Sequence, residues 1–157
     1  MFRIGNGFDV HRLQEGLPFR LGGLLIPCNK GCVAHSDGDV LIHAICDALL
    51  GAAALGDIGV HFPDTDAVYK NIDSKILLEK TAALVRAAGY TVNNIDTIVC
   101  LEKPKINSYI LSMREMLAKI LAVPVEQISI KATTCERLGF VGREEGVAAY
   151  AVTLLQR

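Results

Sequence analysis

The segment VLIHAICDALLGAAALG, residues 40 to 56, constrains the fold more than any other stretch of the chain. Val40, Leu41, Ala44, Ile45, Ala48 and Leu49 recur at the spacing of one helical face, and such a stripe must be buried. The preceding Ser-Asp-Gly-Asp reads as the helix start, with Ser36 placed to cap it and Asp39 three residues on in a variant of the capping box. The helix is expected to end near Ala54. Its apolar runs fall well short of the roughly 18 residues that cross a bilayer, so it needs a globular partner.

The rest of the chain supplies one. Residues 2 to 10 read as a first strand, and FRLGGLLIPCNKG as a short hairpin about Gly22-Gly23. Residues 56 to 73, rich in turn formers and acids, read as a long loop, the kind that serves as a lid over a site. A second helix is expected from about Ser74 to Ala88, stopped by Gly89, then a strand over Thr91 to Leu101 and a turn at EKPK. A third helix, about Asn107 to Leu121, carries Ile110, Met113, Leu117 and Ile120 on one face, and Ile128 to Thr134 is a strand. The last strand, Gly146 to Leu155, is apolar on both faces, as when helices cover one side and a neighbouring molecule the other. With no repeat or linker, residues 1–157 are expected to form a single α+β domain, a two-layer sandwich whose mixed, mostly antiparallel sheet is covered on one face by helices.

Charge and cysteine usage narrow the function. Lys and Arg total 16 against 17 for Asp and Glu, which leaves no field for gripping nucleic acid or an anionic membrane. Hydrophobic residues make up 51%, a surplus for which a subunit interface is the plainest home. The cysteines, Cys28, Cys32, Cys46, Cys100 and Cys135, are odd in number and scattered, which points to free thiols in a reducing cytoplasm. MFRIGNGFDV has neither the basic nor the long apolar region of a signal peptide, in keeping with a cytoplasmic protein.

Chemistry collects first at FDVHRL, residues 8 to 13. On a strand Asp9 and His11 project from one face, with Val10 expected to turn into the core. In the first helix Asp39, His43 and Asp47 form an i, i+4, i+8 row, whose acids are candidates to accept a ring N–H from a ligand histidine. Asp9, His11 and His43 together give two imidazoles and a carboxylate, the count for an open zinc site with a vacancy for water or substrate. The same set suits a non-haem iron oxygenase, and a binding module with purely structural zinc is a further alternative. Cys28, Cys32 and His35 form a rival C-x3-C-x2-H pattern, but no fourth ligand follows at finger spacing and ordinary buried thiols are the simpler reading. KATTCERLGFVGR, residues 131 to 143, has the hydroxyl-rich composition of a loop that holds phosphate oxygens. Beside EKPK and the acid-rich loop it implies a phosphorylated small molecule as ligand.

GNGFDVHRL, AHSDGDVLIHAICDALLGAAALGDIG, HFPDTD, KPK and KATTCERLGFVGR together resemble the 2-C-methyl-D-erythritol 2,4-cyclodiphosphate synthase family of the non-mevalonate isoprenoid pathway, from the first strand to the last. The resemblance implies conversion of 4-diphosphocytidyl-2-C-methyl-D-erythritol 2-phosphate to the cyclic diphosphate, by attack of its 2-phosphate on the β-phosphate with release of CMP. It implies one zinc ion per subunit on Asp9, His11 and His43, and magnesium or manganese at the diphosphate, anchored by Glu136. His35 and Thr134 match transition-state stabilisers, with His35 and Ser36 expected at the start of the first helix, where free N–H groups favour phosphate. Asp57, Ile58 and Gly59 with Phe62, Pro63, Asp64, Thr65 and Asp66 match the part that holds the erythritol, and Asp9, Val10 and His11 are also matched to substrate contacts. Leu101, Glu102, Lys103, Pro104, Lys105, Ile106 and Asn107 match the cytidine and phosphate pocket with Thr133, Thr134, Cys135 and Glu136, and Phe140 and Arg143 complete the substrate contacts. The family is a homotrimer with sites at subunit interfaces and an apolar axial channel, closed by a charged ring to which Arg143 and Glu145 correspond. In some members the channel holds an isoprenoid diphosphate. This chain departs from the pattern at Cys135, where a threonine is common, and at Glu144, where a small residue is usual and a carboxylate adds negative charge near the channel mouth.

Overall fold

Helix α1 (Val40–Ala52) is wrapped on every side: Val40, Leu41, Ile42, Ala44, Ile45, Cys46, Ala48, Leu49 and Leu50 are all fully buried in the computed structural model, which describes residues 1–157. The expected stripe is therefore a whole buried cylinder. Its cap differs from the expected one as well. Asp39, not Ser36, is the N-cap, its Oδ1 accepting from the Ile42 N–H at 3.0 Å, because the residue adjoining the first turn is the one whose side chain reaches the free donors. The same carboxylate accepts from the N–H groups of Gly22 at 3.0 Å and Gly23 at 2.7 Å, in the turn between β2 (Phe19–Leu21) and β3 (Leu24–Ile26). Both glycines have positive φ, which lets two successive N–H groups point at one acceptor. Burial pushes the Asp39 carboxyl up from the usual aspartate range, and these backbone donors pull it back. The first acid of the predicted row is thus a clasp between helix and hairpin rather than a partner of His43.

The main sheet has the order β4-β1-β7-β5-β6, built from β1 (Phe2–Glu15), β4 (Lys30–Val33), β5 (Thr91–Cys100), β6 (Ile128–Thr133) and β7 (Gly146–Gln156). All neighbours are antiparallel except β5 and β6, which are joined through α4 (Ile110–Leu121) as a parallel crossover requires. The expected mixed α+β sheet is present. Strand β4 is an addition that no alternation announced. Helices α1, α3 (Ser74–Ala87) and α4 lie on one face, α1 against β1 and β7 and α4 against β6.

Strand β1 and helix α1 meet along a ladder of alternate residues. Arg3 Nε donates to the Ala52 carbonyl at 2.9 Å. A Cβ on Gly5 would stand 2.0 Å from the Ala48 carbonyl oxygen, and one on Gly7 would stand 1.9 Å from that of Ala44. The helix therefore rests on bare strand backbone. Continuing the same face by twos gives Asp9 and His11, which are carried up beside His43 (Fold geometry and side-chain reach both follow from the period of two). The intervening residues Phe2, Ile4, Phe8 and Val10 lie on the face without helices and are exposed, as are Tyr150 and Val152 of β7. Val10, expected in the core, is 42% exposed there, since the covered side of β1 already belongs to the glycines and the two ligand candidates.

Residues 56 to 73, expected to be an irregular loop, contain one helical turn, α2 (Ile58–His61), and a 3-10 turn at Ala67–Tyr69. Three carboxylates order them. Asp47 Oδ1 accepts from the Ile58 N–H at 2.8 Å, Asp57 from Val60 at 3.0 Å and Asp66 from Val68 at 3.0 Å. Asp47, the second acid of the predicted row, is thereby the fastener of α2. No helix is long and apolar enough to cross a membrane.

The close approach predicts opposite outcomes for two glycines. Gly7→Ala should destabilise the fold by about 3 kcal/mol, since the new methyl must displace backbone. Gly51→Ala, on helix α1 with nothing within 4 Å of its Cβ, should stabilise it by about 1 kcal/mol. Urea denaturation midpoints of the two variants check this; a Gly7 variant as stable as the parent contradicts the packing described.

Candidate active site

The strand and the helix bring three donor atoms to one point. His43 Nδ1 lies 3.0 Å from Asp9 Oδ2 and 3.0 Å from His11 Nε2, and His11 Nε2 lies 3.1 Å from Asp9 Oδ2. Ligands held 2.0–2.1 Å from a tetrahedral ion stand about 3.3 Å apart, so this near-equilateral triangle fits a single small divalent cation. The donor types, two imidazoles and a carboxylate, fit zinc. No fourth histidine, cysteine or carboxylate joins the cluster, which leaves a coordination position toward the adjoining pocket. Cys28, Cys32 and His35 form no such cluster.

Electrostatics around the triangle favour a cation. Burial works against the Asp9 carboxylate, but the two histidines outweigh it and hold the group well below the usual range. Burial also works against a charged His43, and Asp9 overcomes that, raising its pKa. The two rings meet edge to face, their centroids 5.2 Å apart.

The far nitrogen of His43 has partners that the sequence did not disclose. Its Nε2 lies 2.9 Å from Ser74 Oγ and 3.2 Å from Ser36 Oγ. Ser74 Oγ in turn donates to Asp37 Oδ1, and the Ser74 N–H donates to Asp37 Oδ2 at 3.0 Å. This hydroxyl–carboxylate chain fixes the tautomer in which Nε2 carries the proton and Nδ1 offers its lone pair to the cation, the task first imagined for Asp39 or Asp47. Ser74 had been legible only as a helix start. Nothing in its neighbourhood announced that it would face a histidine 31 residues away.

A pocket of about 350 Å³ opens from the triangle, lined on its polar side by His11, His35, Ser36, His43 and Asp64 and on its apolar side by Ile58, Phe62, Tyr69, Ile72 and Leu77. Gly59 lines it too. His35 and Ser36 stand before α1, not in its first turn, and are pinned by the Asn71 N–H donating to the His35 carbonyl at 2.8 Å. Pro63, Thr65 and Asp66 share the segment but not the lining, and the Asp57 and Asp66 carboxylates are engaged as caps. The side chain of Val10 is on the opposite face of the sheet.

A second, smaller pocket of about 150 Å³ is formed by Leu101, Pro104, Lys105, Ile106 and Asn107 with Ala132, Thr133 and Thr134. It lies at the carboxyl ends of the parallel pair β5 and β6, where such sheets form ligand crevices. Beside it, Glu102 Oε1 accepts from the N–H groups of Cys135 at 2.8 Å and Arg137 at 3.4 Å, steadying a loop in which Glu136 and Arg137 both have positive φ. Glu136 is exposed near Thr134, with 3.4 Å between Oε1 and Oγ1, and takes no part in the triangle. Phe140, on the short helix α5 (Gly139–Gly142), packs against Gly146. Arg143 is paired with Glu145 through two contacts of 3.0 Å. The Glu144 carboxylate is 3.0 Å from Lys103 Nζ and 3.9 Å from Lys30 Nζ, so the negative charge it adds at this position is matched by two cations. Apart from Val10, Phe140 and Arg143, the residues singled out from sequence thus fall into two groups, one around the triangle and one around the β5–β6 crevice.

Known proteins are similar to this chain in sequence and share its fold. A 2-C-methyl-D-erythritol 2,4-cyclodiphosphate synthase of Porphyromonas gingivalis is 60% identical over 154 residues, covering 98% of this chain and 95% of that one. The structure of the bifunctional IspDF from Campylobacter jejuni superposes with a TM-score of 0.95 at 44% identity, over 99% of this chain and 42% of that longer one. A 2C-methyl-D-erythritol-2,4-cyclodiphosphate synthase in its CDP-bound form superposes with a TM-score of 0.91 at 40% identity, over 98% of this chain and all of the other (100%). Residues 2–156 match the YgbB family from end to end, and the chain belongs to that family.

Proposed function

We propose that the protein converts 4-diphosphocytidyl-2-C-methyl-D-erythritol 2-phosphate to 2-C-methyl-D-erythritol 2,4-cyclodiphosphate and CMP. The observation that carries this is the Asp9–His11–His43 triangle, open on one side to a pocket whose remaining walls are mostly apolar, with His35, Ser36 and Asp64 as their polar groups. Relatives at 56–60% identity bear the name of this synthase, and one such structure is a CDP complex. The oxygenase alternative, which the donor set alone left open, finds no support in this family, and a closed structural zinc would need a fourth protein ligand.

The nucleophile belongs to the substrate. A phosphate monoester has a second pKa of about 6 and is mostly ionised at neutral pH, so the protein needs no strong base. Its work is to hold crowded phosphates in line and to neutralise them. Zinc bound by Asp9, His11 and His43, with magnesium or manganese held by Glu136, would supply Lewis-acid charge at the diphosphate oxygens. Asp9 stays ionised to keep its share of that charge. Ser74 and Asp37 keep the His43 ring from turning. His35 and Ser36 stand at the mouth of the triangle, able to donate to phosphate oxygens, while Phe62 and Tyr69, in edge-to-face contact at 5.6 Å, wall off the methylated carbon chain. At the other pocket Thr133, Thr134 and Lys105 offer hydroxyls and a cation to the nucleotide phosphates, and Leu101 and Ile106 offer apolar contact to the base. The new P–O bond closes an eight-membered ring as the bond to the CMP phosphate breaks.

The functional unit we infer is a homotrimer. Phe2, Ile4, Phe8, Val10, Tyr150 and Val152 form an uncovered apolar band, larger than isolated surface residues leave on a monomer, and three copies would turn it inward around an axial channel. The two pockets would then face each other across subunits. With Arg143 already paired to Glu145, an isoprenoid diphosphate in the channel would have to compete for that guanidinium. Free thiols accord with a cytoplasmic setting.

Phosphorus NMR of protein incubated with substrate and magnesium should show the cyclic diphosphate and CMP; absence of both refutes the assignment. His43→Ala should abolish turnover while the protein remains folded and trimeric by circular dichroism and light scattering. Ser74→Ala or Asp37→Asn should weaken zinc binding about 10- to 100-fold, read by competition with a chromophoric chelator. Glu136→Gln should leave zinc affinity alone and raise the magnesium needed for half-maximal rate, the outcome that separates its role from that of the triangle.

A further inference from the structure

Cys100 ends β5 and Cys135 follows β6 by two residues, and the parallel register sets Cys100 opposite Thr133. The Leu101 N–H donates to the Thr133 carbonyl at 3.0 Å, and the Cys135 N–H donates to Glu102 at 2.8 Å. These two bonds draw the strand ends together and leave the Cys100 and Cys135 side chains as neighbours. Both are free and only partly buried. The remaining thiols are placed otherwise: Cys32 and Cys46 are buried and pushed up to about 12 by their surroundings, and Cys28 has Asn29 as its neighbour. Cys135 also stands inside the nucleotide loop, between Thr134, which lines the smaller pocket, and Glu136.

We propose that Cys100 and Cys135 form a reversible disulfide under peroxide and that this bond closes the β5–β6 pocket to nucleotide. One sulfur takes an oxygen from hydrogen peroxide as a sulfenic acid, and a first water is released. The second thiol attacks that sulfur, forms the S–S bond and expels the oxygen as a second water. The pair loses two electrons and two protons, and the peroxide O–O bond is broken. Cys135, on the loop beyond β6, is the sulfur that meets the oxidant, and Cys100, held within β5, is the one that resolves it.

The bond has a mechanical consequence. To bond, the two sulfurs must close to about 2 Å, and the segment that yields is the loop, because Cys100 is held in a sheet between two neighbours while Glu136 and Arg137 already occupy left-handed backbone. Pulling Cys135 toward β5 shifts Thr134 and Glu136 together. Reducing thiols restore the open pocket.

The bond itself is tested apart from any activity, whereas its effect on turnover rests on the function proposed above. Full-length zinc-loaded protein is treated with hydrogen peroxide, alkylated, digested and mapped by mass spectrometry, with CDP binding by calorimetry and cyclisation measured in parallel. The expected result is a cross-linked pair of peptides bearing Cys100 and Cys135, with CDP affinity and kcat/KM both reduced about tenfold or more and restored by dithiothreitol. Cys100→Ser should match the parent when reduced and keep its CDP affinity under peroxide. Sulfinic acid on Cys135 without a cross-link, or a cross-link that leaves CDP binding unchanged, overturns the proposal. A reduced parent that binds CDP but makes no cyclic product counts against the proposed reaction and leaves the thiol test intact.

Discussion

Contact between the bare backbone of β1 and the carbonyl groups of α1 sets the geometry on which the site depends. Aspartate is short, and its carboxylate meets His43 at 3.0 Å only because Gly5 and Gly7 let the helix settle against the strand. A larger residue at either position would lift the helix and open the triangle before any ligand was altered. The same contact explains why α1 is buried all round. A helix seated this deep in the sheet leaves its outer side to be covered by α3 and by the β2–β3 hairpin, which Asp39 ties to the first turn.

The acids near the site divide their labour. Asp37, Asp39, Asp47, Asp57 and Asp66 all accept from backbone N–H groups and hold turns, caps or the Ser74 hydroxyl in place. Buried or half-buried carboxylates are costly unless so engaged. What is left to meet a cation is small: Asp9 at the triangle, Asp64 on the pocket wall and Glu136 at the crevice. A phosphate-rich substrate enters a region whose negative charge has largely been spent on backbone donors, and that lowers the repulsion it meets.

Much of this was legible in the chain because two simple periods were at work. The step of two in FDVHRL placed Asp9 and His11 together, and the helical repeat around His43 placed that residue within a buried helix. Parallel pairing of β5 with β6 was implicit in a strand, a helix and a strand in succession. What stayed hidden was tertiary. Alternation cannot tell a covered apolar face from an uncovered one, so Val10 was assigned inward. A capping serine and a capping aspartate compete on position, not on identity, so Ser36 was chosen over Asp39. Ser74 and Asp37 act on His43 through space, and β4, four residues long, has too few positions to show a period. Gly5 and Gly7 were read only as part of a strand, although their spacing, in step with Asp9 and His11, was the visible trace of the helix above them.

Strand β1 carries its ligands and its apolar band on alternate residues, locked to β7 by an unbroken antiparallel register from Phe2↔Gln156 to Arg12↔Gly146. An insertion or deletion of one residue before Asp9 would exchange the two faces, driving Phe8 and Val10 under the helix and turning the carboxylate and the imidazole away from it. Descendants of this chain can therefore vary the strand by substitution, but length changes there are barred except in compensated pairs. Strand β1 is in this sense a frozen reading of one protein face against another.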